Sequence, residues 1–225
     1  CFWMRVYEIP EGSKNSKGRA IQNLINIEQD DKVKAFICTQ DLKDGDYINN
    51  YYVIMATKMG QVKKTSLEQY SRPRSNGINA ITIKDGDELL EAKLTNGNSQ
   101  IMLAVKSGKA IRFEESKTRP MGRNASGVRG IRLKDNKDEV VGMISVNDMD
   151  ANILVVSENG YGKRSSLEDY RLTNRGGKGV KTISITTKTG QLVSLKSVTD
   201  SDDLMIINKS GIAIRMQVAD LRVMG

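Results

Sequence analysis

The sequence contains no histidine, only two cysteines and few aromatic residues. Without histidine, a chain lacks the commonest general base, the usual catalytic triads and most zinc sites, so we expect neither a metal nor a cofactor. Cys1 and Cys38 cannot form a disulfide framework, which favours a reducing, cytoplasmic location. Because aromatic residues make up 5% of the chain, base stacking is not expected to dominate any nucleic-acid binding.

Long apolar runs and helical patterns are also missing. No stretch approaches the roughly 18 apolar residues of a membrane-spanning helix, so no membrane contact is predicted. The first residues, CFWMRVYEIP, have the pattern of a strand entered part-way and not of a signal peptide. Since the chain begins at Cys1 and not at methionine, we expect a fragment of a longer protein.

An internal repeat of about 50 residues organises the chain. Each copy has an apolar run, a glycine turn and a second strand with a cation four residues after the glycine. The turn glycines, separated by 48, 52 and 51 residues, are Gly60, Gly108, Gly160 and Gly211. The cations that follow them are Lys64, Arg112, Arg164 and Arg215. The repeat predicts four β-hairpins.

Two further strands are predicted in each copy from period-2 alternation and β-branched residues. One follows the hairpin, at 77–83, 127–133 and 179–185, with a looser copy at 18–24. The other precedes the next hairpin, at 33–38, 89–94, 140–146 and 191–198. Four short strands in about 50 residues match a β-propeller blade, and such a unit must pack against its neighbours to bury both faces.

The fold class predicted is therefore all-β and propeller-like, with four-stranded blades in a single domain over residues 1–225. The repeats run over about 33–84, 85–134 and 135–185, with partial repeats at 1–32 and 186–225. In register, CFWMRVYEI aligns with 62–70, and LRVMG at 221–225 aligns with 118–122. Either the partial ends complete one blade, or ordered structure is lost at both ends.

Charge is segregated within the repeat. The segments from each glycine turn to the end of the following strand, together with 1–24, carry +17, and the other residues carry −9, which gives the net charge of +8. Packing of the repeats would bring these basic segments to one side. A curved basic stripe of this kind fits a long, bendable polyanion that is bound through its backbone.

Several long motifs follow one another along the chain: YEIPEGSKNSKGRAIQNLI, VKKTSLEQYSRPRSNGINAI, GKAIRFEES with RPMGRNASGVRGIRL, DEVVGMISV, and GYGKRSSLEDYRLTNRGGKGVKTI. In this order they resemble the C-terminal domain of bacterial DNA gyrase A. The resemblance implies a β-pinwheel, a propeller variant whose neighbouring blades exchange strands. It implies a non-catalytic domain that wraps double-stranded DNA around a basic outer rim and presents a segment for ATP-dependent strand passage and negative supercoiling.

The same resemblance implies partners, a location and a loop motif. The partners are the remainder of gyrase A and the whole of gyrase B, in the bacterial cytoplasm with the nucleoid. The family carries a Gln-Arg-Arg-Gly-Gly-Lys-Gly box on its first blade, and 175–179 matches the last five positions. Thr173 and Asn174 replace the first two, so we interpret 173–179 as a degenerate copy and expect the true box before Cys1. The corresponding domain of topoisomerase IV stays open as an alternative.

The predicted DNA contacts are cations of the basic segments. Those in or beside loops are Arg72, Arg74, Arg119, Arg123, Arg129, Arg175, Lys178 and Lys181. Those on hairpin strands are Lys63, Lys64, Arg112, Lys163, Arg164 and Arg215. Those near the chain ends are Lys14, Lys17, Arg19 and Arg222. Because side chains alternate along a strand, only one residue of Lys63/Lys64 and of Lys163/Arg164 is expected to face DNA.

Three other functions are weighed against DNA wrapping. Nucleotide binding by 173–182 is disfavoured, because the P-loop spacing is absent and no helix pattern follows. A protein-interaction propeller of the WD40 type would need the Gly-His and Trp-Asp pairs, which are missing. A propeller hydrolase would need carboxylates that converge on a channel, whereas the acidic residues here cluster in turns.

Overall fold

The computed structural model describes residues 1–13, 15–28 and 31–224. Its strands are β1 (Tyr52–Thr57), β2 (Gln61–Ser66), β3 (Leu89–Thr95), β4 (Gln100–Val105), β5 (Lys109–Glu114), β6 (Val128–Arg129), β7 (Val140–Val146), β8 (Asn152–Ser157), β9 (Gly162–Ser166), β10 (Val180–Lys181), β11 (Leu192–Val198), β12 (Asp203–Ile207) and β13 (Ala213–Gln217). The all-β prediction is confirmed.

The helical elements are short. One α-helix, α1 (Gly45–Asn50), begins after Asp44, whose carboxylate accepts hydrogen bonds from two backbone amides of the first turn. Single 3₁₀ turns occupy Val6–Glu8, Ile21–Asn23, Leu67–Tyr70, Glu115–Lys117, Leu167–Asp169 and Val218–Asp220. No helix in the described part of the chain has the length and apolar character needed to cross a bilayer.

Strands are exchanged between consecutive repeats. Sheet 1 has the order β3-β1-β2-β6, and Sheet 2 has the order β7-β4-β5-β10. In both, the central hairpin comes from one repeat and the two flanking strands come from the next. Sheet 3 (β11-β8-β9) and Sheet 4 (β12-β13) continue the series. Every pairing between these strands is antiparallel, and each of the four predicted hairpins forms.

The first strands of consecutive sheets lie against one another. Strand β7 lies against both β3 and β11, so the first strands of Sheets 1 to 3 meet in series. Strands β6 and β10 lie on the opposite edges of Sheets 1 and 2, which we call the outer edge. The register repeats there, because β2 pairs with β6 through Val62 and Val128, and β5 pairs with β10 through Ala110 and Val180.

The hydrophobic core lies between stacked sheets. On β4, Ile101 and Leu103 pack into a cluster shared with Sheet 1, whereas Met102 and Ala104 pack into a cluster shared with Sheet 3. Sheet 2 therefore buries both faces, and its central strand is apolar at successive positions without alternation. This confirms that the repeats stack on one another, as the propeller prediction requires.

Some predicted strands are wrong or shortened. No strand forms at 18–24, 33–38 or 77–83, and the segments at 127–133 and 179–185 contribute two paired residues each. The alignment of 1–9 with 62–70 is supported, because the 3₁₀ turns Val6–Glu8 and Leu67–Tyr70 fall at matching positions.

Two glycines allow the outer-edge segments to approach the hairpins. An added Cβ would lie 2.5 Å from the Val62 carbonyl oxygen at Gly127, and 2.5 Å from the Ala110 carbonyl oxygen at Gly179. Both glycines have positive φ, 89° and 71°. A side chain at either position would meet backbone, which cannot move without breaking the strand pairing.

We predict that Gly179→Ala lowers the free energy of unfolding by about 2–3 kcal/mol, through left-handed backbone strain plus the contact with Ala110. Gly86→Ala is the matched control, since Gly86 has a φ of 76° and nothing within 4 Å of an added Cβ. It should lose only the backbone part, about 1 kcal/mol. Urea unfolding of the two variants measures both values, and equal losses would contradict a packing role for Gly179.

Candidate nucleic-acid interface

The structure leaves most predicted cations at the surface. The exposed ones are Lys17, Arg19, Arg72, Arg74, Arg119, Arg129, Lys178, Lys181, Arg215 and Arg222. Arg129 and Lys181 lie on β6 and β10, and Lys178 lies in the loop before β10. Among the described residues, only Arg215 of this set forms a salt bridge, with Asp203. Lys14 lies outside the described residues.

Three predicted DNA contacts are wrong, because their side chains are buried. Lys63, Lys64 and Arg164 are 0%, 4% and 5% exposed. The prediction allowed one residue of each pair to face inward and the other to face DNA. Neither member of Lys63/Lys64 reaches solvent, and Lys163 is half-buried. Segments that follow each hairpin cover these side chains: Lys64 lies against Pro120, and Arg164 lies against Val223. Lys63 is covered by the segments that hold Ala80 and Arg123.

Cations four residues after the turn glycines hold consecutive repeats together. Arg112 Nη1 donates to the carbonyls of Leu167 and Tyr170, at 2.9 and 3.1 Å. Arg164 Nη1 donates to the carbonyls of Val218 and Leu221, at 3.0 and 3.2 Å. Each guanidinium thus binds two carbonyls around the 3₁₀ turn of the next repeat, the first of which also accepts the backbone hydrogen bond of that turn.

The same position is occupied by Lys64 in Sheet 1. Its Nζ lies 2.9 Å from Oε1 of buried Glu115, which belongs to the next 3₁₀ turn, and 4.1 Å from the centre of the Tyr52 ring. A backbone bridge accompanies every one of these contacts: Lys64 with Pro120, Arg112 with Leu172, and Arg164 with Val223. These equivalences support the alignment of 221–225 with 118–122.

The box-like loop, residues 173–179, packs on the preceding repeat. Arg175 Nε donates to the Lys117 carbonyl at 2.9 Å, and its Nη1 donates to the Arg129 carbonyl at 3.1 Å. The Gly176 amide donates to the Gly130 carbonyl at 2.6 Å. Arg175 therefore positions the loop, and Lys178 is the exposed cation that the loop presents.

Arg123 makes the equivalent contact one repeat earlier. Its Nη1 donates to the Asn79 carbonyl at 3.3 Å, and Asn79 stands where Arg129 stands in the next repeat. The Arg123 amide donates to Gln69 Oε1 at 3.1 Å. Arg123 and Arg175 are both half-buried, so they join successive outer-edge segments into one continuous surface.

A cluster of lysines lies beside β10, and only Lys181 of this cluster was predicted from the sequence. A groove of about 740 Å³ is lined by Lys106, Lys109, Lys134, Lys137 and Lys181, among other residues. Lys106 pairs with Glu139 at 2.7 Å. The carboxylate of Asp138 accepts from the Ser107 amide and hydroxyl, so one of the groove's acidic groups is already occupied. The pairing of Lys109 with Lys181 assembles this cluster, and it is visible only once the strand exchange is known.

Comparisons with known proteins agree with this architecture. The family model described as DNA gyrase C-terminal domain, beta-propeller, matches residues 1–40, 51–96, 100–147, 151–199 and 202–225. The DNA gyrase A protein of Staphylococcus aureus (strain NCTC 8325 / PS 47) is 44% identical over 220 residues, which are 97% of this chain and 24% of the relative. The Staphylococcus epidermidis protein is 43% identical over 219 residues, with the same coverage.

Two solved structures share the fold. The C-terminal domain of DNA topoisomerase IV aligns with a TM-score of 0.86 and 26% identity, over 97% of this chain and 67% of that one. The DNA gyrase A C-terminal domain aligns with a TM-score of 0.77 and 25% identity, over 91% and 66%. The chain spans about a quarter of the length of its curated relatives. On the match of the family model and the identity to its relatives, the chain belongs to the family of the DNA gyrase C-terminal domain.

Proposed function

We propose that this chain is the DNA-wrapping module of a type IIA DNA topoisomerase, of the gyrase A kind. Duplex DNA bends around the outer edge and is presented to the rest of the enzyme for strand passage, which enables ATP-dependent negative supercoiling. The module itself is non-catalytic and uses no cofactor. Its partners are double-stranded DNA, the remainder of gyrase A and the whole of gyrase B, in the bacterial cytoplasm with the nucleoid.

The position of Arg129 and Lys181 carries this proposal. Arg129 pairs with Gln61 on Sheet 1, and Lys181 pairs with Lys109 on Sheet 2. Gln61 and Lys109 occupy equivalent positions, because each follows the turn glycine of its hairpin directly. Both side chains are exposed on the outermost strand of their sheet. Cations at equivalent positions on consecutive sheets can contact successive phosphates along a bent duplex, without reading bases.

The proposal includes the domain organisation. Residues 1–225 form one domain, with repeats over about 33–84, 85–134 and 135–185 and partial repeats at 1–32 and 186–225. The exchange of β6 and β10 into preceding sheets supports one cooperative unit, since a repeat cannot complete its sheet alone.

Duplex length tests wrapping directly. We expect affinity to rise at least about tenfold when the duplex is extended beyond the first contacts, because each further sheet adds phosphate contacts. Titration with a length series of random-sequence duplexes measures this, and ligation of nicked circles with bound protein measures the change in linking number. Tight binding to very short duplexes, with no gain for longer ones and no change in linking number, would contradict wrapping.

A second candidate is the corresponding domain of topoisomerase IV, favoured by the TM-score of 0.86 to that structure. The two candidates predict different activities of the full enzyme, because negative supercoiling is proposed for the gyrase kind. Incubation of the full enzyme with relaxed plasmid and ATP therefore separates them. A protein-interaction propeller is the third candidate, and charge reversal along the outer edge would leave its binding intact.

A further inference from the structure

Lys63 is a lysine buried inside Sheet 1. Its side chain is fully covered, and no ion pair involves it among the described residues. Its Nζ donates to the Ala80 carbonyl at 2.5 Å and also to the Arg123 carbonyl. These acceptors lie on the segment 77–83, which follows the first hairpin, and on the segment 119–127, which precedes β6. One ammonium group therefore joins two segments that come from different repeats.

The next repeat shows that this position does not require a lysine. Ile111 stands three residues after its turn glycine, as Lys63 does, and is 2% exposed beneath the box-like loop. An added Cβ on Gly177 of that loop would lie 3.5 Å from Ile111 Cδ1. An apolar side chain thus fills the equivalent space in the next repeat. At Lys63 the chain instead buries a charge without a counter-ion, which costs free energy of folding.

The segments that Lys63 joins carry exposed cations of the proposed DNA surface. Arg119 is exposed four residues before Arg123, and Arg129 is exposed just after the second segment. The Arg123 guanidinium also donates to Asn79, so its backbone and its side chain both contribute to the junction. A displacement of either segment would move Arg119 and Arg129 relative to each other.

We propose that Lys63 is a positioning residue for DNA binding, whose charged ammonium group holds 77–83 and 119–127 in the arrangement that presents their cations to phosphates. This inference rests on the proposed function. Lys63 contacts no DNA itself, and it acts only through the two carbonyls.

A pH dependence follows from the surroundings of Lys63. Burial, together with the charge of Arg123, lowers the pKa of Lys63 to about 8. The other titratable groups facing this junction are Tyr70, whose hydroxyl donates to the Ala80 carbonyl, and the Cys1 amine, which donates to the Ile78 carbonyl. Burial raises the pKa of Tyr70 and lowers the pKa of the Cys1 amine.

We expect Lys63→Met to weaken binding to a long duplex about tenfold at pH 7. In the native chain, affinity should fall by up to about tenfold from pH 7 to pH 9, since about a tenth of Lys63 stays charged one unit above its pKa. In Lys63→Met this fall should be absent, although the Cys1 amine still titrates. Fluorescence titration at fixed salt measures the affinity of the native chain and of Lys63→Met at pH 7 and at pH 9.

Lys84→Met is the matched control, because it removes one exposed lysine beside the first segment with no ion pair lost among the described residues. It should weaken binding less than about threefold and keep the native pH profile. Lys63→Ile, which copies the next repeat, replaces Lys63→Met if the latter does not fold. An affinity within twofold of native, or an unchanged pH profile in the Lys63 variants, would overturn the proposal.

Hydrogen exchange without DNA separates this proposal from the proposed function. We expect amides of 77–83 and 119–127 to exchange faster in Lys63→Met than in the native chain. If the native chain binds no DNA, the proposed function fails, and with it the role of Lys63 in DNA binding. Faster exchange would then retain only its anchoring role. If exchange is unchanged, Lys63 does not position these segments, even where DNA binding is confirmed.

Discussion

Replacing Arg129, Lys178 and Lys181 together by glutamate is expected to weaken binding to a long duplex about 10²–10³-fold at about 0.1 M salt. All three side chains are exposed, on or beside the outermost strands of Sheets 1 and 2. Each phosphate contact contributes about 0.9 to the slope of log affinity against log salt, so the slope should become less steep by about 3.

The control for this experiment reverses three lysines away from the outer edge. Lys43, Lys196 and Lys209 are exposed, and their reversal changes the net charge of the chain by the same amount. We expect this control to keep the native slope and to lose far less affinity. Fluorescence titrations between 50 and 200 mM salt give the slopes, and native affinity should fall roughly 10³–10⁵-fold over this range if 6 to 10 phosphates are contacted. Equal losses in both triple variants would show that net charge, and not the outer edge, determines binding.

Arg164→Met is expected to lower the free energy of unfolding by about 3–5 kcal/mol, the largest stability effect that we predict. The guanidinium is buried, and its removal takes one donor from each of the carbonyls of Val218 and Leu221. The Val218 carbonyl keeps the bond from the Leu221 amide, whereas the Leu221 carbonyl loses the donor given by Arg164. It also leaves Asp200 without the partner that lies 2.5 Å away. Methionine retains most of the apolar packing, so the loss reports the hydrogen bonds. Urea unfolding measures it, and proteolysis within 203–217 should accelerate as Sheet 4 separates.

Arg215→Met is the matched control, because Arg215 holds the same repeat position. Its side chain is 70% exposed and pairs with Asp203 on its own hairpin. Within the described residues it contacts no following 3₁₀ turn, so its loss should leave the free energy of unfolding nearly unchanged. If both variants are equally stable, the cation after the turn glycine does not join the repeats.

The contacts of Arg112, Arg164 and Arg175 change the interpretation of the basic segments. Their guanidinium groups donate hydrogen bonds to backbone carbonyls of neighbouring repeats, so these groups are not available to phosphates. The remaining cations, such as Arg129 and Lys178, extend from the surface that these contacts hold together. The charge of the segments therefore has two uses, one in assembling the outer edge and one in presenting it.

Sequence reasoning succeeded where the signal is local and repeated. The hairpins around Gly60 and Gly108 form because apolar alternation and a turn glycine act within about 15 residues. The 3₁₀ turns and the backbone bridges fall at equivalent positions in successive repeats. Pro120 and Leu172, for example, both form a bridge with the cation four residues after a turn glycine. The family resemblance is confirmed for the same reason, since its motifs recur in order along the chain.

It failed where a residue's surroundings come from another repeat. Alternation along β2 places Lys63 and Lys64 on opposite faces, but it does not show that both faces are covered. The segment 33–38 has the composition of a strand, yet it remains unpaired because hydrogen-bond partners, and not composition, make a strand. The box-like loop was expected to present Arg175 to DNA, whereas its guanidinium binds the preceding repeat.

The sequence by itself determined the β content, the hairpins, the repeat length and the segregation of charge, since each depends on residues close together in the chain. Only the tertiary structure decided which cations face solvent. Segments of the next repeat cover Lys64 and Arg164, whereas Arg215 at the same repeat position is exposed. Lys63 and Ile111 occupy equivalent positions, but different segments pack over them. Lys63 donates to two backbone carbonyls, whereas Ile111 makes an apolar contact with the box-like loop.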